Sequence, residues 1–303
     1  MSALDDLLRV MDARCQVYHN FQLCGNWEVD EHELDQTCLH LVCYGDCVLH
    51  YQGEEVPLTR GDLVVFPKER PHRISSVRPT ESPMARLPLS EPAQPEGTAL
   101  LCASVHFAHP SAEDLLSNLP ELTLIHHSEA NRTWLEPLAR MILQESQADQ
   151  PGQAAVLDHL AALIFMQVLR QTDAVGDASP GLLRLHQDPV MKGALAAFHA
   201  EPDKAWTLER LARQAAMSRS RFAQHFKAQS GWTPAQYLLW WRMQQAWTLL
   251  GRGVSVLETA LQVGYQSEAA FSRSFKRHYG QSAGQVRRQS NGSSKGASRP
   301  VTT

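Results

Sequence analysis

Six cysteines among 303 residues are too few and too scattered for a disulfide framework. Charged residues reach only 20% and aromatic residues 7%, against 43% hydrophobic, so the chain is globular and not disordered. No uninterrupted apolar run approaches the roughly 18 residues that span a bilayer, so no membrane partner is expected. The opening MSALDDLLRVMDARC starts acidic and lacks a basic segment followed by an apolar one. A secretory signal is therefore not expected, and the chain is read as cytoplasmic. Collagen, coiled-coil and membrane classes fall with these absences. The length suits two domains of ordinary size.

The small formal net charge of −4 conceals two opposite halves. Residues 1–188 carry 12 Lys+Arg against 27 Asp+Glu, whereas residues 189–288 carry 14 against 5. A basic segment on an acidic chain predicts that the C-terminal half meets a polyanion; an ordinary solvated basic face is the plainer alternative.

Along residues 37–77 the segments TCLHLVCYG, CVLHYQG, GDLVVFP and PHRISSV read as strands, punctuated by Gly45-Asp46, Gly53 and Gly61-Asp62. The proline-rich stretch Pro79–Gly97 predicts a long surface loop, and ALLCASVHF (99–107) a further strand. Residues 131–147 and 154–171 have helical apolar spacing. TDAVGDASPG (172–181) resembles a linker, a helix-rich segment spans 189–288, and QSNGSSKGASRPVTT predicts a disordered tail.

The basic half contains an internal repeat. Leu208–Gly231 superposes on Leu257–Gly280 at a constant offset of 49, with identities at Leu208/Leu257, Glu209/Glu258, Ser218/Ser267, Phe222/Phe271, Phe226/Phe275, Lys227/Lys276 and Gly231/Gly280. A repeat of this length is one supersecondary unit used twice. Each copy reads helix, turn, helix: Ala215 and Gly264 fall near the turn, Ser218 and Ser267 suit N-caps, and Gly231 and Gly280 suit C-terminal stops. This spacing predicts a helix-turn-helix whose second helix can enter a major groove.

At 100° per residue Phe222 and Phe226 share a buried face. Ser220, Gln224 and Lys227 then point outward, flanked by Arg221 and Ala223; in the second copy Ala269, Arg273 and Lys276 point outward. Gln and Ser can pair with base edges, whereas Arg219, Arg221, Lys227, Lys276 and Arg277 suit phosphate.

These residues, over about 189–288, resemble the AraC/XylS family of bacterial transcription regulators. The resemblance implies a helix joining two helix-turn-helix units, here 234–250 entered through Thr233-Pro234, and base readout dominated by Ser220, Ala223 and Gln224. The chain departs from the family in having Ala283 and Val286 where a second Pro-x-x-Tyr element usually follows. It also implies double-stranded DNA as a partner, a homodimer, and RNA polymerase if the protein activates.

The acidic half resembles the cupin that precedes this DNA-binding region in one branch of the family. The carrying residues are Gly61-Asp62, Pro67 and His72, with His40 in a first-motif position. Catalytic cupins have further ligands there, but Val42 stands at one of those positions, so His40 and His72 alone cannot make a three-ligand metal site. Cys102 or His106 are the candidates for a third. Resemblance to the reactive-chlorine-sensing members implies oxidation at Cys102, helped by Cys24 or Cys15; structural burial is the default for each thiol, and a small organic effector inside the barrel is the other candidate signal. No cofactor is assigned.

The expected fold is α+β multidomain: an N-terminal cupin-like β-barrel with following helices, then an all-α double helix-turn-helix domain. Residues 1–171 make the sensor with a helical dimerisation segment, 172–188 a linker, 189–288 the DNA-binding domain with helix-turn-helix units at about 207–228 and 255–277, and 289–303 the tail. The expected function is a non-enzymatic, sequence-specific DNA-binding regulator whose barrel senses an oxidant or small molecule; a cupin metalloenzyme fused to DNA-binding helices is the alternative.

Overall fold

A computed structural model describes residues 3–30, 36–68, 70–78, 81–107, 109–110, 112–116, 119–148, 150–171 and 180–295. The chain divides into a sheet unit, within residues 13–108 and 116–178, and a helical unit, within 1–12, 109–115 and 179–303.

The sheet unit holds ten strands: β1 (Ala13–Cys24), β2 (Glu28–Val29), β3 (Thr37–Tyr44), β4 (Cys47–Tyr51), β5 (Glu54–Leu58), β6 (Leu63–Phe66), β7 (Arg73–Ser76), β8 (Ala85–Pro88), β9 (Thr98–Phe107) and β10 (Thr123–Ile125). They form a six-stranded sheet, β10-β6-β3-β9-β1-β8, and a four-stranded sheet, β2-β7-β4-β5. Paired strands run antiparallel. Leu23, Cys38, Val42, Val64, Phe66, Leu100 and Cys102 of the larger sheet pack with Val29, Cys47, Leu49, Leu58 and Ile74 of the smaller in one core. β3 is buried on both faces, which is why its sequence lacks the polar alternation of a half-exposed strand. Its outer side is covered by α4 (Leu135–Ala148), which follows the short α3 (Glu129–Arg132), while α5 (Gln153–Gln171) packs on β1. α5 has the length and hydropathy of a membrane-crossing helix, a property that a residue-by-residue search for unbroken apolar runs misses. In this fold Leu157, Leu160, Ile164, Phe165, Val168 and Leu169 of α5 are buried on one face, while Val156 and Leu163 are exposed.

The helical unit contains α1 (Ala3–Met11), α2 (Ala112–Leu116), α6 (Leu182–Gln187), α7 (Lys192–Ala200), α8 (Leu208–Gln214), α9 (Arg219–Ser230), α10 (Pro234–Gly251), α11 (Val256–Gln262), α12 (Glu268–Tyr279) and α13 (Ala283–Lys295). Caps fix the boundaries. Thr207, Ser218, Ser255 and Ser267 each accept a backbone N–H from the first turn of α8, α9, α11 and α12. Thr233 and Gln236 make a reciprocal capping box with Pro234 at the first helical position of α10. Gly231 (φ 76°) and Gly280 (φ 72°) end α9 and α12 in the left-handed conformation, where a side chain would add strain.

α10 is the spine, burying Tyr237, Trp240, Trp241, Met243, Gln244, Ala246 and Leu250. The Tyr237 hydroxyl lies 2.9 Å from His186 Nε2 and 2.6 Å from His199 Nε2, and His199 stacks on Trp241 with centroids 3.5 Å apart. Asp6 of α1 reaches His199 Nδ1 at 3.4 Å. Trp240 Nε1–H donates to Asp114 at 2.9 Å, and the His109 ring meets those of Trp247 and Tyr279.

The structure differs from the sequence reading in six places. Residues 3–12, 109–110 and 112–115 belong to the helical unit although they lie inside the expected sensor segment; α1 buries Leu7 and Met11 among α6, α7 and α10. β1 and α1 went unread; β1 shows irregular burial, with a bulge between Val17 and His19 that breaks its two-residue period. β8 lies within the expected 79–97 loop. The expected linker 172–188 contains α6, whose Leu182, Leu183 and Leu185 are buried; residues 172–179 lie outside the described residues. The expected tail 289–303 is helical to Lys295, since a helix nucleated by the Ser282–Gln285 capping box propagates at little cost per residue; residues 296–303 lie outside the described residues.

The sixth difference concerns the repeat. The second helices superpose at offset 49, but the first helices superpose at 48. Met217 N–H bonds Ala212 O just as Tyr265 N–H bonds Ala260 O, and Ala216 and Gly264 take the same left-handed position after α8 and α11. The second turn therefore holds one extra residue, and Leu257 corresponds to the exposed Glu209 rather than to Leu208. This accounts for the exposure of Leu257 (52%) and Leu261 (55%).

Candidate nucleic-acid interface and the buried histidine pair

The two second helices present the faces expected of them. Phe222 and Phe226 of α9, and Phe271 and Phe275 of α12, are buried with ring centroids 5.8 and 5.5 Å apart. Ser218, Arg219, Ser220, Arg221, Gln224 and Lys227 are exposed, and Ala223 is half-buried. Ser267, Ala269, Arg273, Lys276 and Arg277 are likewise exposed. Arg219 pairs with Glu209 at 3.4 Å, an exposed contact that holds the side chain loosely. Neither face is neutralised by acidic side chains of its own helix beyond Glu268.

α9 is held from behind. His225 Nε2 contacts Asp188 Oδ2 at the end of α6, and Ser230 Oγ–H donates to Phe226 O at 2.8 Å. Sequence reading missed Asp188–His225, because the partners are far apart in the chain. It also passed over Arg213 and Arg288, exposed cations near the two units that charge alone could have suggested as phosphate contacts. Ala283 and Val286, the positions that depart from the family pattern, are buried in the core of the second helix-turn-helix.

In the sheet unit His40 and His72 do meet. Their Nε2 atoms are 3.0 Å apart, and Phe66 stacks on His72 at 4.3 Å. His72 Nδ1 lies 2.8 Å from Arg70 O and so carries the proton there. One of the two facing Nε2 atoms then donates its proton to the other. Cys38 Sγ is 3.6 Å from His40 Nε2. Cys102 faces His40 on one side and His19 on the other in the strand register, whereas His106 is exposed. Among the described residues no group of three or more His, Cys, Asp or Glu is arranged to hold a metal ion. With the two imidazoles bonded to each other and Val42 in the core, the residues do not fit the three-ligand centre of a catalytic cupin.

The family model described as Cupin matches residues 2–173, and that described as Helix-turn-helix domain matches residues 211–289. The chain is 30% identical to the HTH-type transcriptional regulator AlkR of Acinetobacter baylyi, over 96% of this chain and 100% of that one. It is 30% identical to the RCS-specific HTH-type transcriptional activator RclR of Escherichia coli, over 95% and 97%. It is 29% identical to an AraC-like transcription regulator of Streptomyces antibioticus, over 95% and 99%. The chain belongs to the AraC-type transcriptional regulators.

The thiols of this AraC-type regulator are well protected. Cys102 and Cys38 are fully buried. Burial pushes Cys15, Cys43 and Cys47 up to about 12, and raises the half-buried Cys24. Cys15 pairs with Val105 and Cys24 follows Leu23, the partner of Thr98, so the two lie towards opposite ends of β1. Each is about 10 Å or more from Cys102 along the ladder, beyond the Cα separation a disulfide spans. In native protein at neutral pH, a disulfide reagent is expected to modify Cys24 first and the other five only as the fold opens. Rapid modification of Cys102 would contradict this burial.

Proposed function

We propose that this AraC-type regulator binds double-stranded DNA through α9 and α12, with Ser220, Ala223, Gln224, Ala269 and Arg273 at base edges and Arg219, Arg221, Lys227, Lys276 and Arg277 at phosphates. Ser218 and Ser267 start the two helices and hold their first turns against the backbone. The observation that carries this reading is the pair of capped helices, each with an inward phenylalanine pair and an outward basic, polar face. Binding to DNA upstream of its own gene, measured against salt, tests it. Arg221→Ala and Lys227→Ala should each weaken binding across all sequences and reduce the log–log salt slope by about 1. Gln224→Ala should cost about 1–3 kcal/mol at one base position only. An unchanged slope in both cation variants would overturn the assignment.

We read the chain as a regulator rather than an enzyme, acting in the cytoplasm with its DNA; the names of the relatives support this. Two copies pair through α4 and α5, where Met141 (51%), Val156 (43%) and Leu163 (39%) are exposed apolar side chains. Sedimentation as a monomer at micromolar concentration would remove that claim. If the protein activates, RNA polymerase is a further partner. An oxidant is the second reading of the signal: it is supported by the RCS-specific name of one relative and by the partial exposure of Cys24. Mild oxidant should then change DNA affinity in wild type but not in Cys24→Ala, whereas Cys102→Ala, a change at a buried thiol, should leave the response in place.

A further inference from the structure

The space between the two sheets is occupied by packed side chains from both, but a cavity of about 300 Å³ opens on the outer side of the larger sheet, against α4. Such a volume is at the lower end for small-molecule sites. Glu136, Ala139, Arg140 and Leu143 of α4 line it, falling within roughly 100° of the helix circumference. Leu135, Leu138, Ile142 and Ser146 make the adjoining buried stripe, so the helix is seated by one face and lines the cavity with the next. Cys43 of β3 and Arg60 of the β5–β6 turn complete the wall.

The walls are fixed by a buried carboxylate. Asp62 Oδ1 accepts the His127 backbone N–H at 2.7 Å, and Oδ2 accepts the Thr59 N–H at 2.8 Å. His126 Nδ1 lies 3.5 Å from Oδ2. A Cβ on Gly61 would come within 2.8 Å of the His127 ring, so the turn and the segment leading to α3 are in close contact. Thus the charge of Asp62 is turned into the clamp, and Glu136 is engaged with Arg132 at 3.0 Å. The exposed Arg60 and Arg140 line the cavity together with Glu136, whose carboxylate interacts first with Arg132 and more weakly with Arg140, above an apolar floor of Ala139, Leu143 and the Cys43 thiol, so that the lining carries two guanidiniums against one carboxylate. Guanidinium is the side-chain group that best matches a carboxylate.

We propose that this cavity binds a small organic acid, a ring or short chain bearing one carboxylate, with the carboxylate held by Arg60 and Arg140 and the apolar part on Leu143 and Ala139. This rests on reading the sheet unit as the sensor. A ligand here would bridge the barrel and the helix that carries Met141, and so could bias the pairing of two copies.

Calorimetric titration of the full-length reduced protein at fixed ionic strength tests the site, with sodium benzoate as probe, benzamide as its uncharged analogue and sodium sulfate as an inorganic anion. Saturable one-to-one binding of benzoate is expected, about tenfold or more tighter than benzamide. Arg60→Ala and Arg140→Ala should each weaken it by about tenfold, and Leu143→Trp should block it while keeping both charges. Unsaturable benzoate heats, or equal binding of benzamide or sulfate, would overturn the proposal. So would wild-type affinity in the arginine variants or in a folded Leu143→Trp. DNA binding by the same preparations without benzoate separates the two claims: its loss counts against the regulator reading, and a failure of benzoate to bind counts against the cavity alone.

Discussion

Lowering the pH from 6.5 to 5 should destabilise the helical unit by about 4 kcal/mol, an effect large enough to unfold a marginal domain. The cause is the set of histidines buried beside α10. Burial pushes His109 and His186 down to about 4, and burial with the neighbouring His186 pushes His199 down to about 2. An unfolded histidine protonates near 6.5, so below that pH the unfolded chain binds more protons than the folded one. The stability these groups contribute is complete above 6.5 and is lost as the pH falls toward their folded values. Each histidine contributes on the order of one to two kcal/mol over this interval. Asp6, which faces His199, acts the other way: burial raises its carboxyl, so its protonated form is favoured in the fold. Urea unfolding followed by tryptophan fluorescence at several pH values checks the prediction. His199→Gln should flatten the dependence, and a stability independent of pH between 6.5 and 5 would contradict it.

Phe222→Ala and Phe271→Ala should each cost about 3–5 kcal/mol and remove DNA binding at moderate temperature. Both rings are fully buried, and each packs on the second phenylalanine of its helix. Truncation leaves a cavity where α9 or α12 is seated, so the outward face loses its support. Leu257→Ala and Leu261→Ala, by contrast, should cost less than about 0.5 kcal/mol, because both are exposed. The contrast tests the one-residue shift between the repeats. If offset 49 held for the first helices, Leu257 would be the counterpart of the half-buried Leu208, and its truncation would cost more than that of a fully exposed side chain.

The helix-turn-helix pair was legible because its signals are local. Serine caps, phenylalanines four residues apart and terminal glycines lie within single helices, and the structure places each as the spacing implies. The extra residue in the second turn was invisible, because the matches at Leu208/Leu257 and Glu209/Glu258 are identities of residue type without equivalence of position. α1 and α6 escaped for another reason: short apolar segments do not state which core will bury them. In the sheet unit, His40 and His72 were legible as neighbours from their motif positions. That their Nε2 atoms come within 3.0 Å of each other is a contact across two strands, which no spacing reveals. The cavity beside α4 depends on Asp62 turning toward residues 126–127, a contact across more than sixty positions of sequence.

Interference footprinting on the bound site tests the central claim most directly. The account predicts, for each bound copy, two contacted major-groove segments on one face of the duplex, about 10–10.5 base pairs apart. Gln224→Ala should erase base contacts in one segment and Arg273→Ala in the other. A single contacted segment, or contacts in both segments that survive both substitutions, would contradict the assignment of α9 and α12 as the reading helices.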